Sequence, residues 1–580
     1  MYILFQTVKS PNGIFAIALL LYSIVIAAVC PKLKKSGKKR AAVLLCVLPV
    51  IAALVHLAVY GITVISHFVF IYVLALMPLI NLLPGKKKLP VALKSVVSSL
   101  AAVVLCIVCI FNLTGENVHN FSRMSYTQSF KKMLKTLEKE YCLNSWKKID
   151  YDQLLKDYLP RVEEAEKNKD ETAYAEVVAE VTYRFYDSHV YIQLHDEDIY
   201  NNVAVHFSGN DYGLSMMRLD DGRVIAVLVE NGEDSIYDEL PDITKLGIHN
   251  GTQIVAWDGR EINEAIAGVE CVNHYLQFPV KSNEDFFRPA FLAGRGGETV
   301  DVTFIDDNGS EKHAQLKKLG DYSDRLSGVF IQFLYTMNHV PNYTSYMYDD
   351  KCGYMCIRKE YYSDFFDNLT IIRKGYYPEL TEFYAKQIEE LKAQGMEYLV
   401  IDIRNNGGGY NNVAGALASL FSDEKKHMFS LGYEDEKGYH VTEDQYIFPD
   451  GRYKDLPVVV LVNAQCVSAG DGMAKFLGEC DNVTLMGLTS SGGVNQNNGG
   501  RIYLTKNLSI CYPDYLTLSS EGVPLIDTDH TRENRIPLEV KIPMTKEFAL
   551  KLSDFGAGDV QLEYAADYLA KMKKEKETDK

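Results

Sequence analysis

The sequence is short of positive charge. Its 60 Lys and Arg stand against 76 Asp and Glu, a formal net charge of −16 and a pI near 5.4. A protein that grips a phosphate backbone needs a basic surface to displace counterions, so nucleic acid is excluded as a partner. Metal-type cysteine spacing is also lacking. Cys30, Cys46, Cys106 and Cys109 lie in apolar runs, while Cys142, Cys271, Cys352, Cys356, Cys466, Cys480 and Cys511 are scattered. CGYMC (Cys352–Cys356) has no second Cys or His pair at zinc spacing, so no metal is expected. An odd number of thiols in the polar part implies no disulfide framework. Neither GxGxxG nor GK[ST] follows a strand, so nucleotide binding has no loop to rest on and no cofactor is expected.

Long apolar runs are missing after Leu113 and abundant before it. Ile14–Cys30, Ala41–Val59, Thr63–Leu83 and Ser95–Leu113 each approach the roughly 20 apolar residues that cross a bilayer. A cleaved signal peptide is the competing reading of the first run, but its n-region holds only Lys9 and further apolar runs follow at once. Four membrane helices are expected. KLKKSGKKR (Lys32–Arg40) and GKKK (Gly85–Lys88) put the basic loops on the cytoplasmic side, so everything after Leu113 faces the other way. The expected location is the cell membrane, multi-pass, with membrane lipid as one partner.

The whole chain, at 580 residues and 47% hydrophobic content, is long enough for several domains, and two changes of hydrophobic period divide the part after Leu113. From Ser122 to Tyr186 apolar residues recur at helical spacing, ending at DSHVYIQL (Asp187–Leu194) where the period becomes that of a strand. Short strands with turn signals fill the next stretch, including LGIHNGTQIVAWDG (Leu246–Gly259). That run, with the Gly213-Leu214 strand entry, resembles a bacterial PDZ domain. The resemblance implies a peptide C-terminus added as a strand, its carboxylate held at Gly213 and Leu214; a plain β-rich insertion is the alternative.

From Cys352 strands alternate with helices, the signature of an α/β layer. MEYLVIDIR (Met396–Arg404) and LPVVVLVN (Leu456–Asn463) read as buried strands, each followed by a loop and a helix. Both loops therefore fall at the carboxyl edge of a sheet, where such sheets place their ligands. The first loop, NNGGG (Asn405–Gly409), can present bare N–H groups to a developing oxyanion. The second, in LVNAQCVSAGDGM (Leu461–Met473), puts Ser468 at a helix mouth, where an N-cap serine would also sit.

DIRNNGGG (Asp402–Gly409), VLVNAQCVSAGD (Val460–Asp471) and MGLTSSGGV (Met486–Val494) resemble the C-terminal processing (tail-specific) serine peptidases and the tricorn-core-like branch of that family. The resemblance covers the chain from about Phe121 onward. It implies that Ser468 is the nucleophile and Cys466 a packed small residue, with oxyanion donors at Gly407, Gly408, Gly409 and Ala469. Many members use a lysine base in a TxGKG segment. Here TSSGGV places Gly493 at that position, and Lys475 lies about two turns along its own helix. The tricorn-type branch uses histidine instead, which maps onto His189, oriented by Ser188 and Glu533; His530 is the nearest competing histidine. A carboxylate that fixes the imidazole is the general need of such a set.

The expected architecture is multidomain. It has an N-terminal helical membrane region (1–113), a small helical subdomain ending in the candidate base (114–195) and a β-rich PDZ-like domain (200–319). An α/β core of the ClpP/crotonase-like kind (325–550) and a C-terminal helix with a charged tail (551–580) complete it. The expected function is a membrane-anchored extracytoplasmic serine endopeptidase acting on protein or peptide substrates, possibly through their C-termini. An inactive pseudopeptidase or a peptide-binding membrane sensor is the alternative.

Overall fold

The computed structural model describes residues 11–61, 65, 68–82, 91–113, 117–232, 242–273, 277–334, 341–360, 378–435, 437–493, 497–526 and 531–578. His530 and Val494 lie outside these residues. The chain separates into two compact units, Met1–Leu137 with Asn498–Tyr512, and Glu138–Asn497 with Pro513–Lys580.

The first unit is built on apolar helices. Among the described residues, Pro11–Lys35 and Lys39–Tyr60 contain the two stretches long and apolar enough to cross a membrane. The run expected to be a third span is an α-helix over Val69–Leu76 and a 3₁₀ turn over Met77–Leu82. Pro78 brings no N–H to an α-helical ladder, consistent with that break. The fourth apolar run is the helix Val91–Leu113. Small residues such as Ala16, Ala42, Ala53 and Ala102 are buried, while Leu21, Leu44, Val59, Leu100 and Val104 are exposed. Many large apolar side chains thus point outward, while others such as Leu19, Ile26, Phe68, Ile71 and Leu74 are buried. In the same unit the short strand Asn117–Asn120 pairs in parallel with Gly500–Tyr503.

In the second unit the helical stretch forms Tyr151–Asn168 and Glu171–Tyr183, each opened by an aspartate cap, Asp150 to Gln153 N–H and Asp170 to Ala173 N–H. Such caps satisfy donors that the first helical turn leaves unpaired. The block expected to be β-rich begins with a helix, Glu197–Ser208, capped by Asp196. Ser215–Arg218, Val224–Val227, Gln253–Trp257, Thr299–Ile305 and Glu311–Lys317 then form an antiparallel sheet in that order. Helix Lys281–Ala293 packs on its edge strand Ser215–Arg218.

The α/β layer is a six-stranded sheet in the order Tyr343–Met347, Cys352–Ile357, Tyr398–Asp402, Val458–Leu461, Val483–Gly487, Val540–Lys541, parallel except for the first pair. Both faces are covered. Leu399, Ile401, Val458 and Val460 pack with helices Pro378–Ala393, Asn411–Ser419 and Ala469–Gly478. Tyr398, Val400, Val459 and Leu461 face the antiparallel block and the C-terminal helices Lys546–Leu552 and Val560–Thr578. Burial on two faces explains why these strands read as unbroken apolar runs with no alternation. The loops after Asp402 and after Leu461 leave adjacent strands at one edge, with Asp402 and Leu461 in direct register.

Candidate active site

Two loops meet at that edge, and asparagines stitch them together. Asn405 N–H donates to Asn463 Oδ1 at 3.0 Å, Asn463 Nδ2 returns a bond to Asn405 Oδ1 at 3.1 Å, and Val467 N–H donates to Asn406 O at 3.0 Å. Gly408 touches the serine turn itself. At φ +88°, a Cβ there would lie 2.7 Å from Ala469 N and 2.8 Å from Ser468 Cβ. Only glycine accommodates both the left-handed backbone and that approach.

Ser468 occupies the N-cap position of Ala469–Gly478 but does not cap it. Its φ of 57° and ψ of −131° are rare outside glycine, and its hydroxyl makes no hydrogen bond to the helix. A backbone of this kind costs about 1–3 kcal/mol and persists where surrounding contacts impose it. Here Gly470 N–H bonds Val467 O at 3.0 Å and Gly472 N–H bonds Ser468 O at 3.1 Å. The result is a sharp strand-to-helix elbow that leaves the Ser468 hydroxyl uncommitted.

The four expected oxyanion donors divide into two pairs. Gly407 N–H donates to Arg358 O at 3.3 Å and Gly408 N–H to Asn406 Oδ1 at 2.8 Å. Among the described residues no hydrogen bond occupies the N–H of Gly409 or of Ala469, the first amide of the helix. Cys466 is fully buried, its thiol donates to Ile403 O at 2.9 Å, and burial pushes its pKa up to about 12. It packs, and a protonated thiol is a poor nucleophile.

Gly493, the position the resemblance gives to lysine in other members, has φ +68° and a Cβ there would meet Val280 Cγ2 at 2.6 Å. Its N–H donates to Asp471 Oδ1 at 3.1 Å. Lys475 turns away to Glu479, 3.2 Å off. Asp471 sits one turn into the serine helix, 2% exposed, and burial raises its carboxyl to about 6 against the bonds from Ser491 and Gly493 that lower it. Because the folded pKa lies above the unfolded one, wild-type stability falls as pH rises from about 4 to 6. Asp471→Asn keeps an acceptor for Gly493, so it is expected to be more stable than wild type at pH 8 by up to about 3 kcal/mol, the worth of two pKa units. Thermal unfolding at pH 8 and pH 4 checks this, with the difference vanishing at the lower pH.

His189 stands in a turn one residue before strand Tyr191–Leu194 and is 6% exposed. The carboxylate that faces it is Asp187, whose Oδ1 accepts the His189 backbone N–H at 2.9 Å and lies 3.9 Å from Nδ1. Asp187 is wholly buried, and its Oδ2 accepts the Tyr141 hydroxyl at 2.8 Å. Burial, then the Asp187 charge, holds that phenol well above its usual pKa, so it remains a donor. Ser188 Oγ bonds Gln277 O at 3.3 Å. Glu533 is exposed, and no hydrogen bond joins it to His189 among the described residues; nor does one join His189 to Ser468. The two sides do share a cavity of about 500 Å³. Its lining includes Ser188, Tyr191, Ile192 and Gln277 as well as Gln465 and Val467. The chain neighbours of His189 and Ser468 thus line the same space.

Gly213 and Leu214 are buried in the antiparallel block. Gly213 N–H is taken by Asp211 Oδ1 at 2.7 Å, and Arg325 holds that aspartate at 2.9 Å. The adjoining edge strand is covered too, with Ser215, Met216 and Met217 at most 1% exposed. Neither residue presents an open seat for a peptide carboxylate in this conformation.

Asp187, Tyr141, Asn406 and Asn463 were not singled out from the sequence. Asp187, two residues before the candidate histidine where an Asx turn forms, carried a readable signal. Tyr141 comes from a distant segment and carried none, and Asn463, five residues before Ser468, bonds a loop 58 residues away that no local pattern announces.

An α/β domain with an uncapped serine at a strand-to-helix elbow, facing a glycine loop, defines the class of site. Residues 369–526 match the profile of Peptidase family S41, a family of serine peptidases. Over 105 residues the chain is 31% identical to the carboxy-terminal processing protease CtpA of Bacillus subtilis (strain 168), a stretch that is 18% of this chain and 22% of that protein. Among solved structures, mature CPAF aligns over 78% of this chain and 96% of its own at 16% identity with a TM-score of 0.48. The photosystem II D1 C-terminal processing protease aligns over 75% and 99% at 17% identity with a TM-score of 0.31.

Proposed function

We propose that this chain is a membrane-anchored serine endopeptidase in which Ser468 attacks a peptide carbonyl and His189 takes its proton. The observation that carries the reading is the elbow at Ser468, a strained backbone whose hydroxyl declines the cap it is placed to make. The Gly409 and Ala469 N–H groups are the donors best placed for the oxyanion, since those of Gly407 and Gly408 are already engaged. Asp187 faces the imidazole in this conformation, and Glu533 takes that role only if its loop turns inward. The outward apolar faces of the N-terminal helices support insertion in lipid, and the basic loop Lys32–Arg40 supports a domain on the far side from the cytoplasm. By analogy with the carboxy-terminal processing relative, substrates are proteins or peptides cut near a C-terminus.

The missing Ser468–His189 hydrogen bond favours a second reading, a non-cutting relative that binds peptide. A fluorophosphonate probe separates the two. Labelling of wild type, abolished by Ser468→Ala, is expected for the peptidase; wild type that stays unlabelled under conditions where it binds peptide establishes the second reading.

A further inference from the structure

Three segments that bear on the site converge on one stretch, Gln277–Glu284, in the connection between strands Gln253–Trp257 and Thr299–Ile305 where helix Lys281–Ala293 begins. Gln277 accepts the Ser188 hydroxyl on its carbonyl and donates from Nε2 to Val190 O at 2.9 Å, so it brackets His189. Asn283 binds Ser490 O at 3.1 Å and Ser491 O at 3.0 Å through Nδ2. The third segment arrives through Arg532. Its Nη2 reaches Glu284 Oε2 at 3.0 Å and Phe278 O at 2.7 Å, and its Nε reaches Pro279 O at 2.9 Å. With those bonds fixing its plane, the guanidinium carbon lies 3.7 Å from the centre of the Tyr186 ring.

Tyr186 immediately precedes Asp187-Ser188-His189. It has φ +46°, and Arg532 has φ +67°. Two non-glycine residues in the left-handed region, stacked on each other, mark a geometry imposed by contact rather than chosen by either backbone. The anchor beneath them is fully buried: Glu284 is 0% exposed and also accepts from Tyr183 OH and, at 3.2 Å, from Arg288.

We propose that Arg532 is a positioning residue for His189, a guanidinium platform clamped by Glu284 on which Tyr186 seats the turn that carries the base. This rests on the peptidase reading for its purpose. It also ties the antiparallel block to the site: the connection between its strands Gln253–Trp257 and Thr299–Ile305 supplies the clamp. Arg288 continues to compensate Glu284 when Arg532 is removed, so Arg532→Ala is expected to fold. Arg532→Lys keeps the charge but has no flat face to stack on a ring.

The test reads the His189 turn without using activity. The full chain in detergent is treated with diethylpyrocarbonate, and modification at each histidine is followed by peptide mass spectrometry, with exposed His313 as internal reference. Arg532→Ala and Arg532→Lys are each expected to raise the His189 rate by about fivefold or more, as expected for a local opening, with His313 unchanged. A wild-type rate at His189 in either variant overturns the proposal, as does a parallel rise at every histidine with a lowered melting temperature. Fluorophosphonate labelling of Ser468 in wild type is scored separately. Its absence counts against the peptidase reading and leaves the protection result to stand or fall alone.

Discussion

His189→Ala is expected to slow acylation of Ser468 by about 10⁴-fold or more, the scale on which hydroxyl nucleophiles lose their base. Lys475, on the helix that follows Ser468, is paired with Glu479 at 3.2 Å. Lys475→Ala is accordingly expected to react like wild type, and equal losses in the two variants would overturn the histidine base. The rate in wild type should fall on the acid side, as the base takes up its proton. Asp187→Asn is a finer probe. Its Oδ1 still accepts the His189 backbone N–H, so the turn survives while the charge 3.9 Å from Nδ1 is lost. A loss of about 10²–10⁴-fold is expected, against less than about tenfold for Glu533→Gln. The opposite order assigns the orienting carboxylate to Glu533 and requires its loop to turn inward.

The largest effect on stability is expected at Arg404. Wholly buried, it binds Asp402 through Nε at 2.9 Å and Nη2 at 2.7 Å and Asp559 through Nη1 at 3.0 Å, while Tyr354 OH donates to Asp402 at 2.8 Å. Removing one member of such a set leaves a buried charge unpaired, so Arg404→Met is expected to cost about 3–5 kcal/mol. Denaturant midpoints at pH 7.5 check it. Asp402 supplies the sign of the pH dependence. Burial alone would raise its carboxyl, but the Arg404 charge and hydrogen bonds outweigh burial and hold it below the usual range. Its depressed folded pKa means the stabilisation is present above about pH 4 and lost as pH falls through the folded value. Without Arg404 the burial effect remains and the carboxyl protonates on folding. The gap between wild type and variant should therefore narrow in acid; a gap independent of pH would locate the damage in packing instead.

Much of the α/β layer was legible in the sequence for one physical reason. Strands buried on both faces read as continuously apolar, and Tyr398–Ile401 and Val458–Leu461 do. The helices after them carry a separable period, so the two loops could be placed at one sheet edge from pattern alone. The antiparallel block was less legible. Its strands were visible, but helix Glu197–Ser208 was not, and the closure of the Gly213 edge depends on Arg325 and helix Lys281–Ala293, far along the chain.

By itself the sequence determined the alternation of strand and helix, the glycine loop at Asn405–Gly409 and the serine at a strand-to-helix break, because local backbone preference and burial are written in neighbouring residues. Only the tertiary structure decided that Ser468 leaves its helix uncapped, that Tyr141 holds Asp187 and that Val280 fills the space beside Gly493. Those outcomes turn on contacts between segments tens to hundreds of residues apart, and no local period records such a contact.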